Sequence, residues 1–304
     1  MKVVITGASG FIGTALCRHL RDSYDVVGLS RDSRRAQKRL DGFAKVVEWD
    51  GRTPGDWAGG EKDFCIVNLA GDNVASRRWN QTKRGSIMHS RSDCSRAVLE
   101  SIRRATNKPK VVIQASAVGY YGSRGNEELD ETSTKGKGFL SNVCQKTETF
   151  AEEIEKLGVR CVVIRSVVVL DRNGGALPRM VKPFRFFLGG RLGRAGRWIS
   201  WISLEDELAA IRFLIENEDL HGVFNLTAPE PATNRRFTWA LAAAMKSPPW
   251  LPVPGFILRM MLGEMANELL LSSQKVLPKR LLEAGFEFKH RDIRTALRQI
   301  LERR

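Results

Sequence analysis

Short apolar runs alternate with stretches of helical periodicity through the first half of the chain. Lys2–Thr6 (KVVIT) is a run rich in β-branched residues that ends at a glycine, the pattern of a buried strand. Phe11, Ile12, Ala15, Leu16 and Leu20 then recur at helical spacing, and Asp25–Ser30 (DVVGLS) reads as a second strand. Val46-Val47 and Phe64–Leu69 (FCIVNL) predict two more strands. A long helix is predicted over Gln81–Arg104, with Ile87, Cys94, Val98 and Ile102 on one face. Lys110–Ala115 (KVVIQA) is the next strand, followed by a helix over Phe139–Leu157 and a strand over Arg160–Arg165. Such alternation predicts right-handed βαβ crossovers and a parallel sheet covered on both faces, an α/β fold.

The rhythm breaks after Leu170. Gly174-Gly175, Gly189-Gly190, Gly193 and Gly196 punctuate a basic, aromatic segment. A helix over Glu205–Asn217 and a strand over Gly222–Leu226 follow, and a proline-rich stretch from Pro248 to Pro254 introduces a helical tail. The expected division is a domain over residues 1–170 and a smaller C-terminal lobe over 171–304, with parts of 203–228 returning to the sheet.

Composition narrows the class. With 304 residues, 42% hydrophobic and 27% charged, the chain has the profile of an ordinary soluble globular protein. No apolar run is long enough for a bilayer, and a first strand starting at Lys2 is read as leaving no room for a secretory or transit segment. The expected location is the cytoplasm, or an organelle interior if the chain is a mature form. Cys17, Cys65, Cys94, Cys144 and Cys161 are odd in number and scattered, the pattern of reduced thiols packed as small hydrophobes. His19, His89, His221 and His290 each stand alone, so no metal site is expected. The net charge of +15 raises nucleic-acid binding as a possibility. The basic residues are spread over Arg31–Arg39, Arg77–Arg91, Arg179–Arg197, Arg235-Arg236 and Arg303-Arg304, which argues instead for a solvated surface with an anion-friendly cleft.

Candidate chemistry begins at Thr6-Gly7-Ala8-Ser9-Gly10-Phe11-Ile12-Gly13, between the first strand and the first helix. Gly7 suits a tight turn, Gly10 lets backbone approach a pyrophosphate, and Gly13 lets the helix pack close to the strand. The helix N-terminus adds free N–H groups and positive dipole. A glycine triad placed strand–turn–helix predicts a dinucleotide site. The second strand ends in Ser30-Arg31, where an NAD site usually carries an acidic side chain. A guanidinium there suits the 2′-phosphate of NADP(H), and Arg34 and Arg35 add charge, while Asp32 keeps NAD as the alternative.

The GxxGxxG spacing is similar to that of extended short-chain dehydrogenases/reductases. Further blocks narrow the resemblance: Asn68-Leu69-Ala70-Gly71, Arg77-Arg78-Trp79, Ser90-Arg91 and Ser116–Gly122 (SAVGYYG). So do Gly174-Gly175-Ala176, Trp201-Ile202, Ala228–Pro231, Leu262–Met265 (LGEM) and Lys275–Pro278 (KVLP). Together they resemble, nearly end to end, the atypical branch known as the epimerase family, with its distinct C-terminal domain. That resemblance implies a Rossmann-type, doubly wound parallel sheet, NADP(H) as cofactor, and a substrate pocket between the lobes. By position it implies that Gly7, Gly10, Phe11, Ile12 and Gly13 hold the pyrophosphate and that Ser30 and Arg31 hold the adenosine ribose phosphate. Leu69, Ala70, Arg91, Val168 and Val169 would face the cofactor, with strand-end core as the alternative for the two valines.

Extended members use a Tyr-xxx-Lys pair on the helix after the fifth strand. Here those positions hold Leu140 and Cys144, which can supply neither a proton donor nor a fixed charge. Ser116 matches the usual serine, and Tyr120 or Tyr121 could supply a phenol from the strand end, with packing as the alternative for both tyrosines; the candidate catalytic residues are Ser116 and Tyr121. Lys146 falls about 200° around the helix from Cys144 and is set aside. The chain also departs from its own branch: Ser203 stands where Trp-Ile-His is usual, Val167 and Asp171 replace glycines, and Asp72 replaces a glutamate. The segment from Arg179 to Trp201 reads either as a pocket wall suited to an acidic or phosphorylated small molecule or as a solvated basic loop with its aromatics in the core. Two functions follow: an NADP(H)-dependent oxidoreductase or epimerase-like enzyme, or a non-catalytic NADP(H)-dependent interaction protein, since some relatives carry cell-division names.

Overall fold

The computed structural model describes residues 1–58 and 62–302, so Arg303 and Arg304 lie outside the described residues. Seven parallel strands form the central sheet: β1 (Lys2–Thr6), β2 (Asp25–Ser30), β3 (Lys45–Glu48), β4 (Phe64–Asn68), β5 (Val111–Ala117), and two that follow below. Between them run α1 (Phe11–Leu20), α2 (Ser33–Leu40) and α3 (Gln81–Arg104). A two-residue strand, β6 (Glu128–Leu129), precedes α4 (Phe139–Glu155), and β7 (Arg160–Ser166) returns to the sheet. The chain then builds β8 (Val168–Asp171), β9 (Gly174–Gly175), α5 (Leu177–Arg185), β10 (Trp198–Ile199), β11 (Trp201–Ser203) and α6 (Leu204–Glu216). β12 (Gly222–Leu226) is the seventh strand of the sheet. The remainder comprises β13 (Ala232–Thr233), α7 (Asn234–Met245), α8 (Gly255–Leu262), a π-helical turn over Ala266–Leu270, β14 (Lys275–Val276), α9 (Lys279–Glu283) and α10 (Ile293–Glu302). No described helix is long and apolar enough to cross a membrane.

The strand order is β12-β7-β5-β4-β1-β2-β3, a Rossmann-like arrangement in which β1 has β2 on one side and β4 on the other. The crossovers therefore diverge at β1 and β4 and leave a crevice beyond their carboxyl ends, where doubly wound sheets bind ligands. Alternation along β1 shows why both faces need helices. Val3 and Ile5 join Leu16, Leu20, Ile211 and Leu214 on one face, while Val4 joins Val98, Ile102 and Ile154 on the other.

Three differences from the sequence reading have physical causes, two of them in strand pairing and capping and one in long-range packing. α2 was hidden by its charge, and Asp32 starts it by accepting a hydrogen bond from Arg35 N at 2.9 Å. β5 continues through Ser116 and Ala117, because both pair with β7, opposite Arg165 and Ser166. The tail also reaches the main sheet: Leu281, Phe286 and Phe288 pack in the same cluster as Val3, Leu16 and Phe224.

A buried polar chain ties the carboxyl ends of the central strands together. Thr6 Oγ1 donates to Asn68 Oδ1 at 2.6 Å, and Asn68 Nδ2 donates to Gln114 Oε1 at 2.9 Å. Thr6 Oγ1 also accepts from Ala70 N at 3.1 Å, which fixes where the chain leaves β4. Asn68→Ala would strand these groups without water, so we predict a loss of about 1–3 kcal/mol in chemical denaturation. An Asn68→Ala protein as stable as the wild type would remove this network as a determinant of the strand ends.

Candidate functional site

The loop from β1 to α1 is shaped by contacts only glycine permits. Gly7 has φ +65°, and a Cβ there would come within 3.0 Å of Leu69 O and 3.1 Å of Ala70 N. A Cβ at Gly13 would overlap the Gly7 carbonyl oxygen and lie 2.8 Å from Ala8 Cα, so α1 is seated directly on the end of β1. Gly10 starts the helix with no side-chain cap, and its own N–H donates to Gly7 O at 2.9 Å. The opening N–H groups of α1 are thus without a side-chain acceptor at the sheet's carboxyl edge. Phe11 turns its ring to the other lobe, packing so tightly on Gly174 and Gly175 that a Cβ at Gly174 would fall within it. Phe11 and Ile12 are both half-buried.

The end of β2 adds charge. Ser30 Oγ lies 3.2 Å from Ser9 Oγ and accepts from Asp32 N at 3.4 Å. With the Asp32 carboxylate occupied in capping α2, the exposed Arg31 is the residue at the strand end whose side chain has no protein partner among the described residues. At the end of β4, Leu69 and Ala70 are half-buried against the Gly7 turn. Arg91 lies across Gly71, where a Cβ would be 2.8 Å from its guanidinium carbon, and donates to Asp72 O at 3.1 Å and Ile87 O at 3.2 Å. Burial holds its pKa below the usual arginine value. Lys83, itself buried, donates to Asp72 Oδ2 at 2.7 Å and pins the same loop.

Beyond β5 the side chains are tied together. Ser116 Oγ donates to Glu148 Oε1 at 2.6 Å, and Arg165 grips the same carboxylate through Nε at 2.9 Å and Nη2 at 2.7 Å. Arg165 Nη1 donates to the Tyr121 hydroxyl at 2.9 Å, which donates to Asn225 Oδ1 at 2.8 Å. Tyr121 is wholly buried, and burial pushes its phenol up to about 12. Neither Ser116 nor Tyr121 is therefore presented as a free hydroxyl. Tyr120 is half-buried, with its ring 3.5 Å from the Arg165 guanidinium carbon. Leu140 packs in an apolar cluster with Trp79 and Met265, and burial pushes the Cys144 thiol up. Lys146 is exposed. Val169 is buried in the main core, while Val168 is half-buried opposite Trp201.

Two contributors come from far along the chain and have no local signal. Glu268 accepts from Phe139 N at 3.1 Å and Leu140 N at 3.3 Å, capping α4 from the π-helical turn. His290, alone in sequence, places Nδ1 3.0 Å from Ser203 Oγ, which in turn donates to Asp206 Oδ2 at 2.8 Å. No described group of three or more His, Cys, Asp or Glu residues is arranged to hold a metal.

The chain resembles known proteins along nearly its whole length. The profile described as "NAD dependent epimerase/dehydratase family" matches residues 3–173, and a domain of unknown function, DUF1731, matches 253–300. The chain is 36% identical over 309 residues to epimerase family protein YfhF of Bacillus subtilis, covering 99% of this chain and 98% of that protein. It is 38% identical over 312 residues to the chloroplastic SDR39U1 homolog of Arabidopsis thaliana, covering 99% and 87% respectively. The crystal structure of human epimerase family protein SDR39U1 with NADPH superposes with a TM-score of 0.88 at 32% identity, covering 99% of both chains.

Glu207 offers a measurable signature near this site. It is fully buried, accepts from Ser166 Oγ at 2.6 Å, and its Oε2 has no hydrogen-bond partner among the described residues. Burial raises its pKa from 4.5 to about 8, so the folded state holds a proton that the unfolded state releases earlier. The stability this contributes is complete below about 4.5 and is lost as pH rises toward about 8. We expect Glu207→Gln to remove a slope of up to about 1.4 kcal/mol per pH unit in that window. Parallel stability–pH curves for the two proteins would contradict the assignment.

Proposed function

Since the chain belongs to the NAD-dependent epimerase/dehydratase family, in its atypical short-chain dehydrogenase/reductase branch, we propose that it is an NADP(H)-dependent oxidoreductase or epimerase-like enzyme acting on a small molecule. The observation that carries the cofactor choice is the end of β2: Arg31 is exposed and unpaired among the described residues, and the neighbouring carboxylate of Asp32 is committed to α2. The three-glycine cradle fits a pyrophosphate, because Gly7 and Gly13 leave no space for side chains and α1 begins uncapped. In this reading Gly7, Gly10, Phe11, Ile12 and Gly13 contact the pyrophosphate, Ser30 and Arg31 take the 2′-phosphate, and Leu69, Ala70, Arg91, Val168 and Val169 line the rest. The human neighbour crystallised with NADPH supports the choice.

A bound nicotinamide dinucleotide supplies hydride transfer, and the protein must orient the substrate and manage its proton. Ser116 and Tyr121 act as positioning residues, because both hydroxyls are held in the chain through Glu148 and Arg165. Tyr120, with its ring on Arg165 and part of its surface accessible, is the phenol assigned to proton exchange. The packing of Leu140 in an apolar cluster favours a second reading, an NADP(H)-dependent interaction protein without turnover.

Arg31→Ala should weaken NADPH binding by about ten- to a hundredfold while leaving NADH nearly unchanged. An unaltered preference between the two would refute the assignment of Arg31. A panel of carbonyl compounds should include substrates that oxidise NADPH in the presence of the protein, with Tyr120→Phe slower than Tyr121→Phe. Tight NADPH binding without turnover across the panel would favour the second reading.

A further inference from the structure

The helix α5 ends in a cap built on an uncommon residue for the position. Leu188 N donates to Pro183 O at 3.0 Å and Phe187 N to Phe184 O at 3.1 Å, while Phe187 takes the left-handed turn position at φ +56°. Glycine is usual there, because a side chain makes that conformation costly. Phe187 is nonetheless more than half exposed, as are Phe186 and Leu188 on either side of it. The turn thus carries backbone strain together with three bulky apolar side chains open to water, and reversing the chain requires neither.

A second segment is fastened beside it. Trp250 Nε1 donates to Phe187 O at 2.7 Å, Leu251 N donates to Gly189 O at 3.2 Å, and a Cβ at Gly190 would overlap the Leu251 carbonyl. Trp250 and Trp239 of α7, both more than half exposed, line a groove of about 260 Å³ together with Arg191 and Arg235. The apolar exposure continues into α8, where Phe256, Met260 and Met261 are exposed and Leu258 alone is buried. Apolar side chains concentrated in this way mark an interaction surface, whereas single exposed ones would not.

Charge selects the partner. Lys182, Arg185, Arg191, Arg235 and Lys246 are exposed in the same segments, and none has a side-chain partner among the described residues. No acid offsets them along the chain, since Arg172 to Leu204 and Ala232 to Gly263 contain no Asp or Glu. A second copy of the chain docking by the same face would set these cations against one another. The groove falls below the roughly 300–1,000 Å³ of a small-molecule site, and the aromatic side chains around it stand out into solvent. Protruding rings among lysines and arginines suit the boundary of an anionic bilayer, where rings enter the headgroup layer and cations meet the lipids' acidic groups.

We propose that this face of the C-terminal lobe docks on an anionic membrane surface. Phe186, Phe187, Leu188 and Trp250 enter the headgroup layer, and Arg191 and Arg235 lie among the acidic groups of the lipids. The attachment is peripheral, in keeping with the absence of a described helix able to cross a bilayer.

The test sediments the full chain with vesicles of phosphatidylcholine alone and of phosphatidylcholine with about one-third phosphatidylserine. The protein should pellet with the mixed vesicles, less so as salt rises, and stay in the supernatant with the neutral ones. R191Q and R235Q should each weaken binding about fivefold, and F187G at least about fivefold. F187G puts glycine where the cap favours it, so the variant should fold as well as wild type and bind NADPH with the same affinity. Brominated acyl chains should quench the tryptophan fluorescence of wild type more than that of W250F. Equal binding to neutral vesicles, no binding to either kind, or F187G and R191Q binding like wild type would each overturn the proposal. A lipid-free dimer that F187G dissociates would overturn it in favour of a second copy of the chain. Capture by polyglutamate without vesicle binding would overturn it in favour of an acidic protein.

Discussion

The contact on which the site depends is the one between Gly13 and the carbonyl of Gly7. A helix can begin at the carboxyl edge of a strand with its N–H groups aimed outward only if its first turn approaches the strand end to backbone distance. A methyl group at Gly13 would push α1 off that seat. Everything near the ligand is referenced to it: Thr6 leads into the turn, Ala70 is tied to Thr6, and Phe11 carries the helix start against the opposite lobe. The strand order matters because it opens a crevice where this close approach can be used.

A second constraint stands one helical turn along α4 from Cys144. The carboxylate of Glu148 and the guanidinium of Arg165 are both largely withdrawn from water and meet at 2.7 Å. Buried ions of this kind are tolerable only when most of their hydrogen bonds are met, and here Ser116, Tyr121 and Asn225 complete the set. The arrangement organises the end of β5 as a rigid platform. The Ser116 and Tyr121 hydroxyls at its centre are held by that chain, donating to Glu148 and Asn225.

Legibility in the sequence followed the range of the interaction. The strands and long helices were readable because period-2 and period-3.6 burial is a local property, and α3 runs over the very residues its apolar stripe predicted. The glycine loop was readable because φ and close packing act within a few residues. α2 escaped because its apolar face is only Ala36 and Leu40 in a run of charge. The tether of Ser116 to Glu148 could not be read from the serine alone, since the arginine that completes it sits on β7. Glu268 and His290 were out of reach for the same reason, because nothing near them in sequence says that they meet Leu140 or Ser203.

The carboxylate of Glu268 on the start of α4 bears on what counts as a unit in this molecule. The family profile ends at residue 173, which suggests a detachable first half and an appended second. Yet the second half supplies a helix cap to the first, an edge strand in β12, and core side chains in Leu281, Phe286 and Phe288. A fragment stopping near that boundary would expose the outer edge of β7 and leave α4 uncapped. The region matched over residues 3–173 is thus completed by the chain that follows it, and a truncation near residue 173 would cut through the central sheet.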